Sequence, residues 1–352
     1  MYNRKNLKYI TEDDLYFSLL RGSGVYCWNN ITDNDPVDVS GRTSCPVFMD
    51  VETEELFLVQ RVYWDKYIRQ YEQGIYARPE LEHVIWPVDL VSLHGHALTV
   101  NYVEHTFGLP TDEIKNHTAG DTVLLFPYKN YGIAKTAADE LKEVKKISWK
   151  EPRIRELLFR IPEAFRKLNE AGYLNMDFDF SHLYLRDDKS IMFEYTNLMM
   201  PLKATPAQGR EALCRGEYPY EFAEPALVQG TLQLPDLDMQ NYSLTAMLFY
   251  LMIGRMPYDG PLLLGLTDNN EVEHEHRYEV YHKTPVFIFD PQDSSNHLGE
   301  FAADQKVIDL WEELPEQIRE LFTQTLTQQN ALRKREVSNP SPAQWLECLQ
   351  LL

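Results

Sequence analysis

Residues 242–254 read YSLTAMLFYLMIG, which as a helix would be apolar on nearly every face. A helix of this kind has no polar side to turn towards water, so it is normally the centre of a helical domain. The longest apolar run, residues 244–254, is too short to cross a bilayer. The stretch therefore predicts a buried central helix, and 352 residues are enough to surround it.

The charge balance excludes some partners. The chain has 34 basic and 54 acidic residues and a formal net charge of -20. An acidic chain repels a phosphate backbone on average, so we expect no nucleic-acid partner. The N-terminus has no apolar core of signal-peptide length, and we expect a cytoplasmic protein without a membrane partner.

Two groups of metal-ligating residue types lack a metal-site pattern. The four cysteines are irregularly spaced and form no CxxC pair, which predicts neither a zinc site nor a disulfide framework. The acidic stretch 268–282 contains His274 and His276 but no H-E-x-x-H signature. We expect a solvated loop there.

Strand and helix patterns follow one another in a definite order. In the first hundred residues, CPVFMDV and ELFLVQRVYW flank the turn ETE, which is a hairpin pattern. From about residue 150, EPRIRELLFRIPEAFRKLNEAGY places apolar residues at helical spacing, with Gly172 after the last turn. Further helical segments lie in VIDLWEELPEQIRELFTQTL and PAQWLECLQLL. The order predicts an α+β fold, with a small β-rich part before a larger α-helical part.

Residues 172–197, GYLNMDFDFSHLYLRDDKSIMFEYTN, contain the candidate chemistry. Together with the order of elements, they resemble the eukaryotic-type protein kinase superfamily, whose catalytic loop H-R-D-x-x-x-x-N precedes a hairpin that presents D-F-G. The resemblance puts Asp177 at the catalytic base and His182 at the family's Asn. Asp179 follows two places after the base, and Glu194 stands at the metal-binding Asp.

The C-terminal half adds three weaker similarities. AEPAL, residues 223–227, looks like a scrambled A-P-E, and residues 240–261 resemble the family's central helix and its G-x-x-P-[FY] turn. Gln240 stands where that helix usually begins with a buried Asp. SNPSPAQWLECL resembles the closing R-P-[ST]-x-x-x-W segment, with Asn339 in place of the Arg.

In the N-terminal part the resemblance implies a nucleotide site. RGSGVYCW corresponds to the glycine-rich loop that covers ATP phosphates, with Gly22 and Gly24 remaining. The phosphate-binding Lys position falls on Gln60, next to Arg61. The hinge, whose backbone would face an adenine edge, would consist of Asn101, Tyr102 and Val103.

The resemblance implies a single domain with a two-lobed protein-kinase-like fold, a β-rich N-lobe (residues 1–104) and an α-helical C-lobe (residues 105–352). Phosphoryl transfer needs a Lys on the phosphates, Mg²⁺ held by Asp and Asn, and an Asp that orients the nucleophile. Gln60 carries no charge, His182 prefers softer metals than Mg²⁺, and Glu194 is one methylene longer than Asp. We therefore expect a pseudokinase, an inactive kinase homologue that signals or scaffolds through a protein partner, with weak or no nucleotide binding.

Two alternatives stay open. One is an active, divergent Ser/Thr-type kinase that uses ATP with Mg²⁺ or Mn²⁺, in which Glu194 and Asp179 share the metal and Arg61 replaces the Lys. The other is an interaction domain that binds no nucleotide. Its cleft would be filled by Phe178, Phe180, Phe193 and Tyr195.

The residue types also leave individual roles open. For Asp177, a chemical role and a purely structural one are about equally compatible with the sequence. In the structural role, Asp177 would hold the loop by accepting hydrogen bonds. His182 lies between apolar neighbours, which favours a hydrogen-bonded loop or core histidine over a metal ligand.

Overall fold

The computed structural model describes residues 7–10, 47–50, 53, 55–61, 75, 81, 83–92, 122–127, 131, 133–196, 198–202, 221–229, 235–263, 275–299, 301–334 and 338–352. The chain forms two compact units. The smaller unit consists of Met1–Lys135, Tyr184–Asp188 and Met192–Asn197. The larger unit consists of Thr136–Leu183, Lys189–Ile191 and Leu198–Leu352.

A five-stranded antiparallel sheet belongs to the smaller unit. Its strands, in spatial order, are β1 (Leu7–Ile10), β2 (Val47–Asp50), β3 (Leu56–Arg61), β6 (Thr122–Pro127) and β5 (Asp89–Ser92). The predicted hairpin is confirmed, because Val47 lies opposite Leu58 and Met49 opposite Leu56. Val47–Asp50 and Leu56–Arg61, within the two predicted segments, thus form neighbouring strands.

A second sheet contains the two strands predicted within residues 172–197. Its strands, in spatial order, are β4 (Val84–Ile85), β10 (Ile191–Glu194), β9 (Leu183–Arg186) and β7 (Ile133–Thr136). Strand β10 pairs with β4 in parallel, with Phe193 opposite Val84. The charged turn between β9 and β10 contains Lys189 in the left-handed conformation, at φ 69°.

The larger unit is mainly helical. Its described residues include the helices α1 (Ala137–Glu143), α2 (Pro152–Glu170), α3 (Pro225–Val228), α4 (Leu237–Ile253), α5 (Gln305–Glu312), α6 (Glu316–Leu326), α7 (Gln328–Ala331) and α8 (Pro342–Cys348). A short antiparallel pair, β8 (Tyr173–Asn175) with β11 (Met199–Pro201), lies among them. No helix in the described part of the chain is long and apolar enough to cross a membrane.

Helix α4 is the predicted central helix. Every residue from Met239 to Ile253 is buried except Tyr250. Asp236 caps its N-terminus by accepting a hydrogen bond from the Met239 N–H at 2.8 Å. Gly254 ends the helix at φ 73°, and a Cβ there would lie 2.5 Å from the Ile147 carbonyl oxygen. A side chain at that position is therefore excluded by both conformation and space.

Aromatic rings surround α4. Phe249 lies edge-on to Phe287 and Phe322, with ring centroids 5.3 and 5.2 Å apart. Trp345, from α8, lies 4.8 Å from Phe322. These contacts form a core in which segments far apart in sequence pack on one helix.

The structure is of the predicted α+β class. One expectation at element level was wrong: residues 275–283, in the stretch expected to be a loop, are helical and end in a π-helical turn, Glu279–Lys283. His276 Nε2 contacts the Leu262 carbonyl oxygen at 2.7 Å, so this histidine ties the helical segment to the chain after α4. The predicted boundary at residue 104 lies outside the described residues.

Candidate functional site

Helix α2 leads into the loop that carries Asp177. The apolar residues predicted to share one face of α2 are all buried: Ile154, Leu157, Leu158, Ile161, Phe165 and Leu168. Gly172 follows at φ 86° and turns the chain into β8. Asp177 comes two residues after the end of β8. The position of the aspartate is thus fixed by a buried helix and a paired strand.

Three amide side chains, which we call the amide triad, anchor this loop: Asn169, Asn175 and Gln240. The buried Gln240 Oε1 accepts hydrogen bonds from the Asn175 N–H at 2.9 Å and from Asn169 Nδ2 at 3.2 Å. Gln240 Nε2 donates to Asn169 Oδ1 at 2.9 Å. Asn175 Oδ1 in turn accepts the Asp177 N–H at 3.1 Å. Gln240, where the resemblance expects an Asp, therefore binds the loop without a charge.

Replacing Gln240 with Leu should destabilise the larger unit by about 2–4 kcal/mol, because buried donors on Asn175 and Asn169 lose their acceptor. Urea unfolding would measure the change. Ser243→Ala on the same helix is the control, because the buried Ser243 hydroxyl has no hydrogen-bond partner among the described residues. An equal, small effect of both substitutions would contradict an anchoring role for the amide triad.

Asp177 and His182 contact each other within the loop. Asp177 is only 4% exposed, and its Oδ2 lies 2.7 Å from His182 Nδ1. Asp179 is exposed and caps a short 3₁₀ turn, Phe180–His182, by accepting the Ser181 N–H at 2.8 Å. The interpretation of His182 as a hydrogen-bonded loop histidine agrees with this geometry.

Two aromatic side chains hold the loop from inside the larger unit. Phe178 stacks on Phe165 of α2, with ring centroids 5.0 Å apart and an interplanar angle of 3°. Phe180 meets Phe222 edge-on at 5.7 Å. Because both rings are buried, the loop has little freedom to turn Asp177 away from His182.

Glu194 lies in the smaller unit, at the end of β10. It is 2% exposed, and its Oε2 accepts a hydrogen bond from the Tyr184 hydroxyl at 2.8 Å. The next residue, Tyr195, packs on Trp86 with ring centroids 4.1 Å apart. The carboxylate is thus buried and hydrogen-bonded within its own sheet.

The remaining predicted site residues are placed only in part. Gln60 and Arg61 belong to β3, where their backbones pair with Leu124 and Val123. The described residues contain no group of three or more His, Cys, Asp and Glu side chains arranged to hold a metal ion. The other predicted nucleotide contacts lie outside the described residues: Gly22, Gly24, Asn101, Tyr102 and Val103.

Sequence reasoning missed a buried ion pair. Glu224, in the AEPAL segment, is fully buried, and Arg333 Nε and Nη2 bind its two carboxylate oxygens at 2.6 and 3.0 Å. Burial raises the pKa of Glu224 to about 7, against the opposing effect of the Arg333 guanidinium. Arg333 Nη1 also contacts Asp238 Oδ2 at 2.9 Å. No local pattern links residues this far apart, so the sequence offered no signal for the pair.

Asn339, where the resemblance expects an Arg, also bonds to the N-terminus of α4. Its backbone N–H donates to Asp238 Oδ1 at 2.6 Å, and its side-chain Nδ2 donates to the Asp238 carbonyl at 3.0 Å. Its Oδ1 accepts a hydrogen bond from Asn330 Nδ2 at 2.8 Å. Asn339 therefore has a structural role in joining the C-terminal segment to α4.

No protein-family model matches this chain, and a search of curated proteins finds no match either.

Proposed function

We propose that the chain is a kinase-like protein whose phosphoryl-transfer site is degraded, a pseudokinase that signals or scaffolds through protein contacts. The observation that carries the proposal is the contact of Asp177 Oδ2 with His182 Nδ1 at 2.7 Å. In the resemblance to protein kinases, Asp177 stands at the catalytic base and His182 stands at the metal-binding Asn. In this chain they bond to each other.

The contact opposes catalysis in two ways. A catalytic Asp must accept the proton of the attacking hydroxyl, which requires hydrogen-bonding reach to the substrate. The Asp177 carboxylate is buried, and one of its oxygens is occupied by the imidazole. Mg²⁺ also takes oxygen ligands in near-ideal octahedral geometry, and His182 offers nitrogen in place of the family's amide oxygen.

Glu194 is a second difference from the metal-binding pattern of protein kinases. The Tyr184 hydroxyl occupies one of its carboxylate oxygens inside the smaller unit. Removal of one electrostatic group from a reaction site costs about 3 kcal/mol of transition-state stabilisation, or roughly a hundredfold in rate. Loss of the Lys charge at Gln60 together with two altered metal ligands would reduce transfer by several orders of magnitude.

The order of elements supports the kinase-like fold that the proposal includes. Helix α2, the Asp177 loop and the β9–β10 hairpin precede the buried helix α4, as the resemblance requires. Trp345 of the closing motif donates a hydrogen bond from Nε1 to Thr245 Oγ1 of α4 at 3.0 Å. The Asp177 loop and the closing motif thus both bond to α4 in the larger unit.

An active, divergent kinase is the second candidate. The exposed Asp179 favours it, because this carboxylate lies two residues from Asp177 and at the surface, where it could reach a divalent metal. ATP with Mg²⁺ or Mn²⁺ would then be the cosubstrate.

Thermal unfolding with ATP or ADP, each in EDTA, Mg²⁺ or Mn²⁺, tests the proposal. We expect no metal-dependent shift of the midpoint and, in a separate transfer assay, no transfer of the γ-phosphate of ATP. Nucleotide at a hundred times its dissociation constant would add about 2.7 kcal/mol and raise the midpoint by a few degrees.

Glu194→Gln is the informative variant, and Asp187→Asn in the exposed turn before β10 is the matched control. A metal-dependent shift that is lost in Glu194→Gln but kept in Asp187→Asn would overturn the pseudokinase proposal in favour of the divergent kinase.

A further inference from the structure

An apolar groove lies in the larger unit between the chain that follows α4 and the segment that precedes α5. Its volume is about 430 Å³, which suits the capture of a side chain or a small ligand. Leu263, Phe301 and Ala303 provide apolar walls, and Asp259 and Arg255 provide polar groups. The groove contains no residue of the Asp177 loop.

One wall is held in place by Asn296. Its Nδ2 donates hydrogen bonds to the Tyr258 and Val286 carbonyls at 3.1 and 2.7 Å, and its Oδ1 accepts the Leu262 N–H at 3.0 Å. A Cβ at Gly260 would collide with the Asn296 backbone, so this wall requires glycine. The wall is therefore formed before any ligand arrives.

The opposite wall is held by Asp304. This buried carboxylate accepts the N–H groups of Gly299 and Phe301 at 3.1 and 3.2 Å. Arg255 Nη1 donates to Asp304 Oδ1 at 2.8 Å, so the two charges largely neutralise each other. A preformed groove binds a ligand at a lower entropic cost than a flexible one.

Apolar side chains are exposed at the groove. Four large apolar side chains are exposed in the described part of the chain. One of them, Phe301, is 51% exposed and lines the groove, and a second, Leu262, is the chain neighbour of the lining residue Leu263. Exposed apolar surface next to a preformed groove is typical of an interaction site.

The electrostatics of the groove favour a cation. The groove lining contains two carboxylates. Asp304 is paired with Arg255, and Asp259 is the second carboxylate. The Tyr281 hydroxyl donates a hydrogen bond to Asp259 Oδ1 and fixes its orientation. Burial raises the pKa of Asp259 against the opposing effects of the Tyr281 hydroxyl, Arg277 and Arg255, and a bound cation would oppose it further. Arg277 is itself paired with the exposed Glu221, at 3.5 Å.

We propose that this groove docks a Lys or Arg side chain from a basic protein partner. The aliphatic stem would pack against Leu263 and Ala303, and the cationic head would meet Asp259 and the ring of Phe301. The formal net charge of -20 attracts a basic partner over long range and so raises the rate of encounter. This docking role stands whether or not the chain binds nucleotide.

Fluorescence anisotropy with a labelled Gly-Leu-Arg-Leu-Gly peptide tests the proposal. Asp259→Asn should weaken binding about tenfold, because the guanidinium loses its ionic partner. The control Asp309→Asn removes the same charge from an exposed site on α5 and should change binding less than about twofold. The same peptide with citrulline in place of Arg keeps the shape without the charge and should bind weakly to all variants.

Equal weakening by Asp259→Asn and Asp309→Asn would overturn the proposal, since it would reveal only general charge attraction. Undiminished binding of the citrulline peptide, or no binding of the Arg peptide to the wild-type chain, would overturn it too. If Asp259→Asn impairs folding, Phe301→Ser decides: this change of an exposed side chain should weaken binding several-fold, and unchanged affinity would refute the site.

Discussion

Replacing Arg333 with Met is expected to destabilise the larger unit by about 3–5 kcal/mol at pH 8. The substitution leaves the fully buried carboxylate of Glu224 without the guanidinium that binds both of its oxygens. An uncompensated buried charge is among the most destabilising changes that a single substitution can make. Urea unfolding at fixed pH measures the loss.

The loss should be smaller at pH 6. Burial raises the pKa of Glu224 from its usual 4.5 to about 7. A carboxyl group whose pKa is higher in the folded state contributes stability that is fully present below pH 4.5 and is lost as the pH rises through about 7. Without Arg333, burial is less opposed and the pKa of Glu224 rises further. Protonation then removes the buried charge at pH 6 more completely than at pH 8.

Two further variants separate the ion pair from a general charge effect. Glu224→Gln combined with Arg333→Met should recover most of the stability, because position 224 then carries no buried charge. Lys334→Met removes one positive charge from the next, exposed residue and should cost less than about 0.5 kcal/mol. A loss in Arg333→Met no larger than in Lys334→Met would show that the ion pair contributes nothing.

Trp345→Ala should also cost about 3–5 kcal/mol, because it removes a large, fully buried ring and leaves a cavity. The ring packs on Phe322, and its N–H donates to Thr245 Oγ1 of α4. Trp345→Phe, which keeps an aromatic ring but loses the hydrogen bond, should cost clearly less. A loss below about 1 kcal/mol for Trp345→Ala would contradict a central role for this contact.

Periodicity in the sequence predicted the elements that bury apolar faces. Helix α4 was predicted because its segment has no polar face, and α2 because its apolar residues recur at helical spacing. The hairpin of β2 and β3 followed from two short apolar runs around a turn. These predictions succeeded because each depends on neighbours in sequence.

Contacts between polar residues were not predictable in the same way. Gln240 and Asn169 are 71 residues apart, and Glu224 and Arg333 are 109 residues apart. Amide and ionic pairs have no period, so nothing in one segment indicates the partner in the other. Even the pair of Asp177 and His182, five residues apart, depends on how Phe178 and Phe180 pack into the larger unit.

The sequence therefore indicated candidate residues but not their arrangement. The roles that the resemblance assigns to Asp177, His182 and Glu194 stay predictions. The structure adds that Asp177 contacts His182 and that Glu194 accepts a hydrogen bond from Tyr184. The loop prediction for the stretch 268–282 was wrong for residues 275–282, its described part. The high charge of these residues hid a helical segment that His276 ties to the Leu262 carbonyl.

The amide triad has a consequence for behaviour under acid stress. Asn169, Asn175 and Gln240 gain and lose no protons over the range in which cells operate, unlike a carboxylate in the place of Gln240. Acidification protonates the buried Glu224, which lowers the cost of its burial, and it leaves the amide triad unchanged. The amide triad should thus keep its hydrogen bonds when the surrounding medium turns acidic, so that any acid sensitivity of this chain would originate elsewhere in the larger unit or in the smaller one.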